Sequence, residues 1–280
     1  MRALCVTRQG DPVTPNVELM DLPEPLAGAG DLLVATEASA LNHLDLWVGR
    51  GLPGVDTAYP HIGGSDGCGR VVGVGQGVNE AWIGRRVMFN LAVEIPHVPS
   101  PESRPSGREI YMIGEHTPGT HAERFVAPAA NAIDVGDSTD PIQAAAYGLT
   151  HLTAWGMLCT KARLRCGDTV LITGIGGGVA LAALNIAMHF GCRTIVTSRH
   201  QKKLDRAIEL GADDAGLDEG EDWSRTVRDL TGRRGVDICA DSIGAAVHTS
   251  CIKSLARSGR FVACGCTSGA NPPTDLARLF

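Results

Sequence analysis

The sequence predicts an α/β fold in two parts: a β-rich first part, then a parallel sheet covered by helices. Three observations carry that prediction. Residues 168–199 read as strand, glycine turn, helix, strand. Strand and helix signals keep alternating from there towards the end of the chain, the pattern of a parallel sheet with crossover helices. Before residue 90 the apolar runs are short and separated by Gly, Pro and Asp, which suits a small barrel or sandwich.

The first observation points to a chemistry. Thr169-Val-Leu-Ile-Thr173 is apolar and β-branched, as a buried parallel strand should be. Gly174-Ile-Gly-Gly-Gly-Val-Ala180 follows without a spacer. Gly174 and Gly176 permit a tight bend and a close backbone approach to a pyrophosphate, while Gly178 and Ala180 keep the next helix near the strand. That helix spans Leu181–Phe190 and ends at Gly191, and Thr194–Thr197 is the second strand. Free amides and the positive end of the helix dipole would face phosphates, with Gly177 and Val179 completing the cradle. A glycine cluster alone also makes ordinary turns; the flanking strand and helix are what mark a dinucleotide turn.

The end of the second strand selects between dinucleotides. An NAD-selective site places Asp or Glu there for the ribose 2′-hydroxyl. This chain has Ser198-Arg199-His200, then Lys202 and Lys203. Small, hydroxyl and cationic groups suit a 2′-phosphate, so the expected cofactor is NADP(H) rather than NAD(H). Lys202 and Lys203 also fit a solvated helix start. Later strand ends at Ser242–Gly244 and Gly265–Thr267 are expected to face the same crevice, with Ser242 and Gly265 as candidate contacts.

The other elements follow from the same signals. Strands are expected over Ala3–Val6, Val17–Met20, Leu32–Ala35, Val71–Val74 and Arg86–Phe89, with a helical turn in Ala40–Trp47. Asp66 lies in a tight apolar stretch, so its carboxyl should be hydrogen-bonded in the interior. Pro96, Pro99, Pro101 and Pro105 make residues 91–110 an irregular loop, and residues 114–126 return to a strand. Helices are expected from Pro141 and over Leu152–Thr160, which puts the division after residue 140, with parts 1–140 and 141–280. Beyond Arg199, helices Gln201–Leu210, Trp223–Leu230 and Val247–Ala256 alternate with strands Val236–Asp241 and Gly259–Gly265, and Asp275–Phe280 reads as a last helix.

Composition excludes several functions. The 280 residues are 44% hydrophobic and 20% charged, ordinary for a globular chain, and no apolar run is long enough to span a bilayer. The N-terminus lacks the apolar core of a signal peptide, so a cytoplasmic protein without membrane attachment is expected. A net charge of −6 with scattered basic residues, and only 4% aromatics, leave no footprint for nucleic acid. Nine cysteines without a C-x-x-C pair fit a reducing compartment and free thiols.

Read together, a set of motifs recurs in one order: Leu41-Asn-His-Leu-Asp45, Gly64-Ser-Asp-Gly-Cys-Gly69, Leu152-Thr-Ala-Trp155, the Gly174–Ala180 turn, Lys203-Leu with Glu209-Leu-Gly-Ala-Asp213, and Gly235-Val-Asp237. Along essentially its whole length the chain resembles the medium-chain dehydrogenase/reductase superfamily, nearest to its zinc-binding-dehydrogenase-type and quinone-oxidoreductase-like members. The resemblance implies a GroES-like substrate and catalytic domain followed by a Rossmann domain. It also implies a Rossmann sheet running on past Phe280, so the sheet here is expected to be incomplete at the C-terminus with an unpaired edge. Relatives pair edge to edge, which makes a homodimer the implied partner alongside a small-molecule substrate.

The resemblance assigns residues too. The catalytic zinc ligands of zinc-type members fall on Asn42 and Ser65, whose amide and hydroxyl are poor replacements for thiolate and imidazole. Ligation by His43, Asp66 and His116 would need an unfamiliar geometry. The structural zinc lobe would fall in residues 91–110, which contain no Cys. No metal is therefore expected. The Asn-x-x-Asp pattern of zinc-free quinone and enone reductases matches Asn42 and Asp45. Asn42 would bond the nicotinamide ribose or a substrate carbonyl, or else only cap a helix. His43 would supply a proton after hydride transfer, or else pack as a partly buried ring. Trp47 would stand at the substrate mouth or in the core. Thr153 matches a threonine that packs on the nicotinamide, and Tyr147 and His151 lie near it in sequence. The implied function is zinc-independent hydride transfer from NADPH to an enone, quinone or similar activated molecule. The alternatives are a zinc-type alcohol dehydrogenase with altered ligands and a non-catalytic NADP(H)-binding protein.

Overall fold

A computed structural model describes residues 1–95, 110–219 and 222–278, and the chain divides into two compact units, Met1–Leu149 and Thr150–Phe280. Of residues 91–110, expected as an irregular loop at the place of the structural zinc lobe, 96–109 lie outside the described residues, while Ala92–Glu94 and Ile110 are strand rather than loop because their backbones pair with each other.

The first unit contains β1 (Arg2–Val6), β2 (Val17–Asp21), β3 (Asp31–Ala40), α1 (His43–Arg50), β4 (His61–Ile62), β5 (Asp66–Val74), β6 (Arg86–Phe89), β7 (Ala92–Glu94), β8 (Ile110–Met112), β9 (Arg124–Pro128), β10 (Ala132–Asp134) and α2 (Pro141–Ala145). An antiparallel sheet of order β10-β6-β5-β3-β9 forms its body, beside a smaller sheet β2-β1-β4 and the pair β7-β8. Alternating side chains turn one face inward. Leu32 and Val34 of β3 meet Val71, Val87, Phe89 and Phe125 there, with the Phe89 and Phe125 rings 5.2 Å apart.

Two expectations change in this unit. The stretch from Gly114 is strand only over Arg124–Pro128. Before that, the amides of Gly119, Thr120 and His121 donate to the carbonyls of Ile62, Gly64 and Gly63, so this segment lies on the glycine-rich bend before β5. The helix that begins at Pro141 packs Ala144 and Ala145 on Cys68, Ala38 and Ala40, and so belongs to the first unit. The division accordingly falls after Leu149 rather than after residue 140.

The later elements are α3 (Gly148–Trp155), continued by a π-helical turn at Gly156–Lys161, then β11 (Thr169–Ile172), α4 (Gly178–His189), β12 (Arg193–Ser198), α5 (Gln201–Glu209), β13 (Asp214–Leu217), α6 (Ser224–Leu230), β14 (Val236–Asp241), α7 (Ala245–Ser254) and β15 (Leu255–Ala263). The strands form one parallel sheet of order β13-β12-β11-β14-β15. Every residue of β11 is buried, because helices cover both faces of this sheet. Val170 and Ile172 pack with Ala183, Leu184 and Leu204 on one face, while Leu171 packs with Trp223, Val227, Val247 and Cys251 on the other.

α4 begins at Gly178, three residues before the expected Leu181, because packing against the sheet overrides the poor helix propensity of glycine. β15 begins at Leu255 rather than Gly259, with a register shift between Val236 and Ile238 on its neighbour. Of the last expected helix only a 3₁₀ turn at Leu276–Arg278 forms among the described residues, too short to nucleate an α-helix. All nine cysteines are free, and Cys239 and Cys251 are wholly buried. No helix of the described residues is long and apolar enough to cross a membrane.

Candidate functional site

The carboxyl ends of the parallel strands surround a cleft of about 670 Å³ whose described lining residues all belong to the second unit. At its centre is the turn between β11 and α4. Gly174 and Gly176 take left-handed backbone angles, φ 64° and 106°. A β-carbon on Gly176 would stand 2.8 Å from Lys203 Cδ, so the Lys203 stem lies directly on the turn. The Ile175 amide donates to the Thr197 carbonyl at 2.9 Å, fastening the turn to β12. Leu181 is the first amide of α4 with a partner one turn back, the Gly177 carbonyl at 3.0 Å. The amides ahead of it form the electropositive end of the helix.

The neighbouring strand ends complete the cleft. At the end of β12, Ser198 is buried and its hydroxyl accepts the His200 amide at 3.2 Å, while Arg199 and Lys203 are exposed. Beyond β13 lie Asp218 and Trp223, 9% and 5% exposed. Burial raises the Asp218 carboxyl above the usual aspartate range, against the pull of Arg199. At the end of β14, buried Asp241 accepts the Thr173 hydroxyl and the amides of Ile243 at 3.0 Å and Gly244 at 2.9 Å. The Ser268 hydroxyl donates to the Ile243 carbonyl at 2.8 Å and accepts the Ala246 amide at 3.0 Å, which anchors the start of α7.

Of the residues singled out for a cofactor, Gly174, Gly176, Gly177, Ser198, Arg199, Lys203 and Ser242 line this cleft. Gly178, Val179, Gly265 and Thr153 do not. Gly178 begins α4 against Thr150, whose Cγ2 would be 2.7 Å from a β-carbon there, and Val179 packs on the core. Gly265 rests on the Ser242 carbonyl, 2.6 Å from where its β-carbon would be. Thr150 is the threonine of α3 that meets the start of α4. Reading the sequence missed Asp218, Trp223 and Val247. The strand-end rule would have found Asp218, which directly follows β13.

The residues singled out for catalysis gather in the first unit. Asp45 closes the start of α1: its carboxylate accepts the Asn42 amide at 2.7 Å and the Gly64 amide at 3.0 Å. The Asn42 side-chain amide donates to Asp66 at 2.9 Å, and the other Asp66 oxygen accepts the Leu149 amide at 2.7 Å. Burial pushes Asp66 up to about 6, opposed by Asn42 and Leu149 and aided by Asp45. His121 Nδ1 shares a hydrogen with the Ser39 hydroxyl at 2.7 Å, and its Nε2 lies 3.6 Å from Asp45. His43 is exposed rather than packed inside, 6.0 Å from the half-buried Trp47 ring, over which Arg50 sits at 5.9 Å. Tyr147 is half exposed, and His151 Nδ1 lies 3.3 Å from the Thr150 hydroxyl.

This set does not suit zinc. Asn42 presents its amide N–H₂ to Asp66, so the group in the thiolate position is a donor turned on a carboxylate. Ser65 is fully buried with its hydroxyl unpartnered, and a neutral hydroxyl is a weak zinc ligand. His116 is engaged elsewhere, its Nδ1 accepting the Met112 amide at 3.2 Å. Among the described residues, no three His, Cys, Asp or Glu side chains form a metal-holding group.

Residues 28–137 match the alcohol dehydrogenase GroES-like domain, and residues 178–280 match the zinc-binding dehydrogenase domain. A zinc-type alcohol dehydrogenase-like protein of Leptosphaeria maculans is 31% identical over 277 residues, covering 93% of this chain and 75% of that protein. A quinone oxidoreductase of Rattus norvegicus is 24% identical over 280 residues, covering 99% of this chain and 78% of that protein. The solved structure of an NAD-dependent alcohol dehydrogenase superposes with a TM-score of 0.90 at 36% identity, covering all of this chain and 82% of that one. A mycobacterial protein solved in complex with NADPH superposes with a TM-score of 0.82 at 31% identity, covering all of this chain and 78% of that one.

Proposed function

Because the chain belongs to the medium-chain dehydrogenase/reductase superfamily of oxidoreductases, we propose that it is a zinc-independent, NADP(H)-dependent reductase of small electron-poor acceptors such as enones and quinones. The observation that carries the reading is the cationic end of the dinucleotide cleft. Arg199 stands directly after β12, where an NAD-selective site has an acid, and Lys203 of α5 lies beside the glycine turn. The mycobacterial neighbour with NADPH supports the phosphorylated cofactor, and the rat relative supports the acceptor class.

The chain's own groups have separable tasks in this reading. The amides at the start of α4 and the Lys203 ammonium hold the diphosphate. The Arg199 guanidinium would hold the 2′-phosphate. The bound cofactor supplies a hydride, so the protein's work is to position the acceptor and manage the proton. Asn42, oriented by Asp66, would hydrogen-bond the acceptor carbonyl. His43 stands exposed beside Trp47 and supplies the proton. The donor set around Asn42 and Ser65 does not fit zinc, and no step uses it.

The test is NADPH oxidation with a panel of quinones and enones in buffer containing a chelator. Turnover with one or more acceptors is expected, with a lower KM for NADPH than for NADH. Saturable NADPH binding without turnover on any acceptor would overturn the reductase reading in favour of a binding protein. Activity that tracks bound zinc would restore an alcohol dehydrogenase with altered ligands.

A further inference from the structure

The strands of the cleft are laid out in the order in which a dinucleotide presents its parts. The glycine turn at the end of β11 takes the diphosphate, and the end of β12 takes the adjoining ribose. β13 is the next strand outward, paired in parallel with Ser198 opposite Leu217. Asp218 follows at once and donates its backbone N–H to the Ser198 carbonyl at 3.0 Å. It therefore stands one strand beyond the ribose position, where the base must lie. Trp223, Ile243 and Val247 give that end of the cleft apolar walls, suited to the faces of a purine.

Asp218 is 9% exposed, yet among the described residues no N–H or O–H donor reaches its carboxylate. Arg199 acts on it through its charge, without a hydrogen bond or an ion pair. Its oxygens open onto the cleft, so the donor that satisfies them must come from water or from a ligand seated there. Of the groups on the edge of adenine, the ring nitrogens are acceptors and the 6-amino group is the donor.

We propose that Asp218 is the base-reading residue of this cleft, its carboxylate accepting a hydrogen bond from the 6-amino group of adenine. The site then selects adenine over a 6-oxo purine, which would turn an acceptor towards the carboxylate. This inference rests on the dinucleotide reading above. It concerns the base, whereas Arg199 concerns the 2′-phosphate.

Fluorescence titration of the purified protein tests it with NADPH and reduced nicotinamide hypoxanthine dinucleotide phosphate, which differ only in the base, where a 6-oxo group replaces the 6-amino group and N1 carries a hydrogen. The same pair without the 2′-phosphate serves as a second comparison. Wild-type protein is expected to bind each adenine form at least about tenfold more tightly than its hypoxanthine counterpart, the size of one hydrogen bond to a charged group. In D218A that ratio falls to near one, and in D218N it falls or inverts, since a rotated amide can donate to the 6-oxo group. Circular dichroism of both variants checks the fold, and the wild-type ratio needs no variant at all. Equal binding of the two bases by wild type, or a preference that survives in D218A, overturns the proposal and leaves the cofactor reading standing. D218A tightening both phosphorylated forms equally, with the base preference intact, also overturns it and makes Asp218 a residue that opposes the phosphate. If no dinucleotide gives a saturable signal, both readings fall together.

Discussion

Asp66 holds a carboxyl in the interior on two hydrogen bonds, and burial wins over both of them to raise its pKa to about 6. The folded form therefore binds its proton more tightly than the unfolded chain does. The stability this gives is fully present below the ordinary aspartate range and is lost as pH rises through about 6. Relative to D66N, which does not titrate, wild type is expected to lose on the order of 3 kcal/mol between pH 4 and pH 7. Urea midpoints of the two proteins at each pH measure this, and parallel curves would refute it. Arg199 is the other residue with a separable effect: R199A should weaken NADPH binding about 10- to 100-fold and leave NADH nearly unchanged. Paired titrations check it. That Asp66 would be bonded in the interior was legible, because an acid in an apolar stretch has few other options. Its partner Leu149 was not, since that contact is made across 83 residues by packing. Asp218 was missed for the opposite reason: the four-residue strand before it is too weak a signal to prompt the strand-end rule that would have found it.

Among the elements, the strand–turn–helix around Gly174 was legible, because a buried parallel strand leaves a continuous apolar run and a phosphate turn needs glycine at set places. The start of α4 was misread by three residues, since Gly178 weakens local helix propensity while Thr150 and the sheet supply the packing that offsets it. α2 was assigned to the wrong unit because its short alanine run gives no hint of which sheet it covers. Substituting the turn tests its role. In G176A the new β-carbon would sit at φ 106° and 2.8 Å from Lys203 Cδ. The variant should lose about 1–2 kcal/mol of stability from the unfavourable backbone angle. It should also lose at least about tenfold in dinucleotide affinity, as Lys203 is pushed aside and the backbone is screened from phosphate. Denaturation and titration of the same sample separate the two effects.

For the whole molecule, the two units and the order of their sheets were readable from the switch between short interrupted strands and strand–helix alternation. The loop of residues 114–123 was not, because its amides at Gly119–His121 bond to carbonyls of the bend at Ile62–Gly64 and it meets β1 only at its end, through the single bridge Ala3–Ala122. Ligand linkage gives a global prediction. NADPH at 100 times its Kd should add about 2.7 kcal/mol to stability. For a chain of this size that corresponds to a rise in Tm of about 5–10 °C. NADH at equal concentration should raise it less. Differential scanning calorimetry distinguishes these outcomes, and equal shifts would remove the argument for the phosphorylated cofactor.

The Asp241 carboxylate joins the end of one central strand to the loop that leaves the next, through Thr173, Ile243 and Gly244. With that rim clipped in place beforehand, a guest finds its seat already shaped. Mixing protein with dinucleotide in a stopped-flow instrument should thus yield one exponential whose rate grows linearly with concentration. A plateau would betray a slow rearrangement that the clip ought to forbid, and loosening it with D241N should be what introduces one.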